Sequence, residues 1–191
     1  MWLRCLESRT VAGKQGPSWS DIKAKLAAFD RAGLLSLVQD LYAASKDNQA
    51  FLHARLQLGD DVLKPYKAII DRWLWPDVFK NQDTSVAKAK NAVADYKKAS
   101  GTTEGLAELA VFYCERASGF SCDVGMDDDT YLSALVRMFE QALKTMATLP
   151  DEQRATLRAR LEVVRDRCIH KLGYGVGDNM NDLLAVHGGD D

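Results

Sequence analysis

No apolar run in this chain approaches the ~20 residues that a membrane-spanning helix needs. The start, Met1-Trp2-Leu3-Arg4-Cys5, lacks the apolar core of a signal peptide. Charge of one sign is also lacking. The formal net charge of -2 gives no global pull toward nucleic acid. The four cysteines, Cys5, Cys114, Cys122 and Cys168, form no CxxC pair. They read as reduced thiols of a cytoplasmic protein, with a Cys114–Cys122 disulfide of an exported protein as the alternative. No stretch alternates apolar and polar residues with a period of two between turn residues, which excludes a β architecture.

What is present is helical periodicity. From Tyr131 to Met146, apolar residues recur at three- and four-residue steps: Leu132, Leu135, Val136, Met138, Phe139, Leu143 and Met146. Asp127, Asp128 and Asp129 precede them and suit the positive end of a helix dipole. Pro150 ends the run. Asp151 can then cap a second helix, with Leu157, Leu161, Val164, Cys168, Ile169 and Leu172 on one side and arginines on the other. A short loop between two long helices makes them antiparallel neighbours.

Upstream, Ser20 can cap a helix through Phe29, with Ile22, Leu26 and Phe29 on its buried side. Asp30 can cap a helix striped by Leu34, Val38, Leu41 and Tyr42, and Asp47 one holding Phe51, Leu52, Leu56 and Leu58. The next helix opens at Asp60, and Pro65 fits there only if the helix starts near Lys64 or bends in its first turns. Ser85 or Thr84 caps a helix to Gly101. Thr102 or Thr103 caps another through Ala117, followed by an irregular segment to Met126. Gly173-Tyr174-Gly175-Val176-Gly177 is a turn before a last short helix opened by Asp178. The expectation is an all-α fold of about nine helices, a bundle or short right-handed α-solenoid built on the C-terminal hairpin. Residues 1–18 read as a flexible tail, 19–187 as one domain and 188–191 as a frayed end.

Five groups could carry chemistry. Asp123, Asp127 and Asp129 could bind a hard cation, but the spacing is not an EF-hand, and helix capping accounts for them. The 173–178 glycine loop could hold phosphate at a helix N-terminus, but no Gly-Lys-Ser/Thr follows and no strand precedes it. Cys114, Cys122, Cys168 and His170 match no zinc spacing. The face from Arg154 to Arg167, with Arg158, Arg160 and Arg165, could meet an acidic partner or nucleic acid. Glu162 and Asp166 dilute it, and no aromatic stands among the arginines for base stacking. Trp73 and Trp75 are too close in sequence to share one inward stripe, so one is a candidate for a partner surface. No motif joins a nucleophile, a base and an orienting group, and none calls for a cofactor.

Across Asp21 to Val186 the chain resembles a family of small all-helical bacterial proteins of unknown function. The resemblance rests on Leu34 to Tyr42 with Phe51-Leu52, Ala87 to Tyr96, Phe139 to Leu143, and Gly173-Tyr174-Gly175 leading to Asp182-Leu183. It implies a helical fold and a bacterial cytoplasmic origin, and no catalytic residues. The helix–turn–helix rhythm is also similar to tetratricopeptide-like adaptors, whose signature residues are missing.

The function expected is protein–protein interaction, as an adaptor, inhibitor or accessory subunit. Trp73, Trp75, Arg154, Arg158 and Arg165 are the candidate partner-binding residues, no membrane is involved, and there is room for a homodimer. The alternatives are a metal- or phosphate-ligand-binding enzyme or sensor using 123–129 or 173–178, and nucleic-acid binding through the arginine face.

Overall fold

The computed structural model of the chain describes residues 16–173 and 175–187. Most of the expected N-terminal tail, the end 188–191 and Tyr174 of the glycine turn lie outside the described residues. Every regular element among the described residues is helical, with no strand and no helix long and apolar enough to cross a membrane. The chain divides into two compact units, one ending at Ser45 and the other beginning at Lys46.

The first unit carries α1 (Trp19–Leu26) and α2 (Arg31–Ala44). Ser18, not Ser20, caps α1. The Asp21 N–H donates to the Ser18 Oγ, and the Ser18 N–H donates back to the Asp21 carboxylate at 2.8 Å, a reciprocal box that satisfies two end groups at once. Asp30 caps α2 as read, its carboxylate accepting from the Gly33 N–H at 2.7 Å. Neither helix buries a residue.

The second unit holds α3 (Lys46–Leu56), α4 (Lys64–Leu74), α5 (Val86–Ala99), α6 (Thr103–Val124), α7 (Asp129–Met146), α8 (Asp151–Lys171) and α9 (Val176–Val186), with one 3-10 turn at Val78–Lys80. Pro65 sits in the first turn of α4, where its missing N–H costs nothing. Ser85, Thr102 and Asp128 cap α5, α6 and α7. Asp151 does not cap α8; Pro150 occupies that position, and Asp151 bridges Arg154 at 2.6 Å in the first turn.

The centre is α6 rather than the C-terminal pair. It packs against α4, α5, α7 and α8, whereas α7 and α8 meet each other only briefly. A helix packed on several sides needs apolar or small residues on each of them, and Glu108, Glu115 and Arg116 of α6 keep to a partly exposed strip. Leu109, Val111, Tyr113, Cys114 and Phe120 are buried on α6, together with Ala107, Ala110, Ala117, Ser118, Gly119 and Ser121. The small residues explain why 118–124, read as irregular, stays helical: Gly119 lets the Trp75 ring lie against the helix backbone. A Cβ there would stand 2.4 Å from the Trp75 ring. Gly125, at φ +80°, ends the helix. Around α6 the buried set includes Ile70 and Leu74 of α4, Leu135 and Phe139 of α7, Leu161 of α8 and Met180 of α9.

One hydrogen bond ties α7 to the end of α4: the buried Tyr131 hydroxyl donates to the Leu74 carbonyl at 2.7 Å. Replacing Tyr131 with phenylalanine removes the donor and leaves that carbonyl without it. Urea unfolding is expected to show a loss of about 1–2 kcal/mol; an unchanged midpoint would mean that the carbonyl is satisfied otherwise.

Candidate functional site

The residues singled out from the sequence fall at separate places, and most engage their own chain. Trp73 and Trp75 are both half-buried. The Lys88 ammonium lies 3.8 Å and the Arg72 guanidinium 4.5 Å from the centre of the Trp73 ring. The Trp75 ring carries the Arg116 guanidinium at 4.2 Å and meets Phe120 edge-on at 6.2 Å. Arg116 in turn pairs with Asp71 at 2.5 Å. Both indoles thus have cation–π partners within the chain.

The arginine face is similarly committed. Arg154 pairs with Asp151, Arg158 with Glu162 at 3.2 Å, and Arg165 with Asp166 at 2.7 Å. Arg158 also donates to the carbonyls of Leu184 and His187, where α9 ends. Arg160 lies across α6, bound to Glu115 at 2.8 Å and to Glu108; Lys67 of α4 reaches Glu108 at 2.6 Å. Burial raises the Glu108 carboxyl, but the hydrogen bonds and charges of Arg160 and Lys67 overcome it and hold the group below the usual glutamate range. The Arg160 guanidinium is pushed up by Glu115 and Glu108. An acidic partner would therefore compete with carboxylates already in place.

Asp123 pairs with Lys171 at 3.6 Å, Asp128 caps α7 and Asp129 lies in its first turn. Asp127 is exposed. Among the described residues no three His, Cys, Asp or Glu side chains are grouped to hold a metal ion. In the glycine turn, Gly175 adopts φ +64° ahead of α9. Cys114 and Cys168 are buried, Cys122 half-buried, and all three are free thiols. Burial pushes all three up, Cys168 to about 12, so each stays protonated and poorly nucleophilic at neutral pH.

Two surfaces escaped the sequence reading. The connector 78–83 presents Phe79, 96% exposed, on a turn held by Asp77, which accepts from the Phe79 N–H and pairs with Lys80. The larger surface is that of α1 and α2. Helical spacing predicts that Ile22, Phe29, Leu34 and Val38 face a core, and each is exposed, as are Trp19 and Leu35. Helical spacing reveals such a stripe and carries no signal of what covers it.

No family model matches the chain, and no curated protein or solved structure matches it either.

Proposed function

We propose that the chain is a protein-binding helical protein, an adaptor, inhibitor or accessory subunit, and that α1 and α2 carry the binding face. The observation behind this reading is that these helices bury nothing while exposing large apolar side chains: Trp19 at 68%, Leu35 at 61%, Phe29 at 48%. Helices of 8 and 14 residues are marginal alone in water. Contiguous exposed apolar side chains mark interaction sites, and Leu34, Leu35 and Val38 have the spacing of anchors for a groove in another protein. A second copy of the chain could supply that groove. Membership of the small bacterial helical family and a cytoplasmic site of action belong to the same reading; the free thiols Cys114, Cys122 and Cys168 support the latter.

A photo-crosslinking residue at position 35 tests it, alongside the variant Leu35→Asp. The expected result is one cross-linked protein whose affinity the variant lowers about 30-fold, as for an anchor worth about 2 kcal/mol. The melting of the 46–187 unit should not change. Sedimentation would show whether the captured protein is a second copy. A partner held equally by Leu35→Asp would remove α1 and α2 from the reading.

A further inference from the structure

A concavity of about 390 Å³ opens between α3, α4 and α5 of the second unit. Small-molecule sites commonly run about 300–1,000 Å³ with apolar walls and a few placed polar groups. It is lined by Phe51, Ile69, Ala92 and Tyr66, together with two acids and two bases, Asp47, Asp95, Lys46 and Lys98.

Tyr66 is the informative residue. It is 4% exposed, and its ring is fixed edge-on against Tyr96, with centroids 5.3 Å apart. The Tyr96 hydroxyl is satisfied by Thr102 at 2.9 Å. The Tyr66 hydroxyl has no hydrogen-bond partner among the described residues, and its oxygen keeps access to solvent. It borders the concavity in a field of negative sign: burial raises the phenol, and the carboxylates of Asp95 and Asp47 add to that rise.

The lysines nearby do not cancel this field equally. Lys98 pairs with Asp95 at 2.8 Å, and Lys46 donates to Gln49 at 3.2 Å. Among the described residues no ion pair engages Asp47. What the concavity lacks is a cationic donor that reaches Asp47 and the Tyr66 oxygen while burying an apolar body against Phe51 and Ile69. A carboxylate or phosphate in the same place would meet Asp47, with Lys98 engaged by Asp95 and Lys46 by Gln49.

We propose that this concavity binds a small organic cation, a primary ammonium carried on an aromatic or aliphatic body, with Asp47 as its counter-ion and the Tyr66 hydroxyl as acceptor. The apolar walls bury the body; the Phe51 ring contributes apolar surface, its cation–π partner being Arg55 at 5.4 Å. This site is independent of the face on α1 and α2.

Phenethylamine is the probe, with 2-phenylethanol and 3-phenylpropionate as neutral and anionic controls of the same shape. Binding to the full chain is followed by the methyl resonances of Ile69 and the ring resonances of Phe51. Saturable shifts are expected with the amine, at an affinity at least tenfold above either control and falling with salt. Asp47→Asn should lower amine affinity at least fivefold and leave the alcohol unaffected. Tyr66→Phe should weaken the amine severalfold. Asp47 is exposed, so its variant folds, and melting curves of both variants show the fold retained. Three equal affinities would make the concavity a nonspecific apolar hole and overturn the proposal. Absent shifts with the amine, or amine binding untouched by Asp47→Asn, would overturn it as well.

Discussion

Replacing Gly177 with alanine is expected to destabilise the second unit by about 3 kcal/mol, although alanine is the better helix former. Gly177 lies buried in α9 where that helix meets α8. A Cβ built on it would stand 2.6 Å from both the Cα and the backbone nitrogen of Ile169. Those are main-chain atoms inside a helix, so no rotamer change relieves the overlap, and α9 must move away as a body. Met180 and Leu184 on α9, both buried, would then lose contact with their neighbours. Helix propensity returns about 1 kcal/mol on going from glycine to alanine. Overpacking costs about 1–3 kcal/mol, more where the backbone itself is blocked, and separating the buried faces adds to this. The steric cost therefore wins, and the melting midpoint is expected to fall by about 6–12 °C. Gly173→Ala is the control. No atom lies within 4 Å of its Cβ position, so it should stay within about 0.5 kcal/mol of the parent. Equal midpoints for the parent and Gly177→Ala would mean that α9 does not pack closely on α8.

Such close approaches show where the sequence stops being legible. Local chemistry is readable in part: Asp30, Ser85, Thr102 and Asp128 cap their helices and Pro65 falls in the first turn of α4, whereas Ser20, Asp47, Asp151 and Asp178 lie inside their helices rather than at the cap. These are decided within four residues. The centrality of α6 was not readable, because Ser118, Gly119, Ser121 and Gly125 resemble a loop in composition. They remain helical because Trp75, more than forty positions earlier in the chain, needs the space that Gly119 leaves. The C-terminal hairpin was read correctly as two helices and a break, and α6 takes most of both their faces. For the candidate surfaces the difficulty is sharper. A stripe such as Leu34, Leu35 and Val38 has the same spacing covered or bare, and the concavity at Tyr66 depends on three helices that no local pattern connects.

The second large effect is expected at Arg160. This guanidinium holds together Glu108 and Glu115 of α6, and Lys67 of α4 completes the cluster. An exposed pair would be worth about 0–1 kcal/mol, and breaking a fully buried one costs about 3–5 kcal/mol. Side-chain exposures of 32% for Arg160 and 23% for Glu108 lie between those limits, so Arg160→Met is expected to cost about 2 kcal/mol at neutral pH. The pH dependence separates this from lost packing, because methionine keeps most of the aliphatic stem. Glu108 titrates below the usual glutamate range in the folded chain. Its ionised form therefore contributes stability above the unfolded value, and that contribution disappears as pH falls through the folded one. Once Glu108 is protonated, it no longer needs Arg160. Urea unfolding of the parent and of Arg160→Met should thus show a gap that is widest at neutral pH and narrows below the glutamate range. Adding Glu108→Gln to Arg160→Met should recover part of the loss by removing an uncompensated charge. A gap of the same size at every pH would show that Arg160 acts through its stem, with the three helices joined by packing alone.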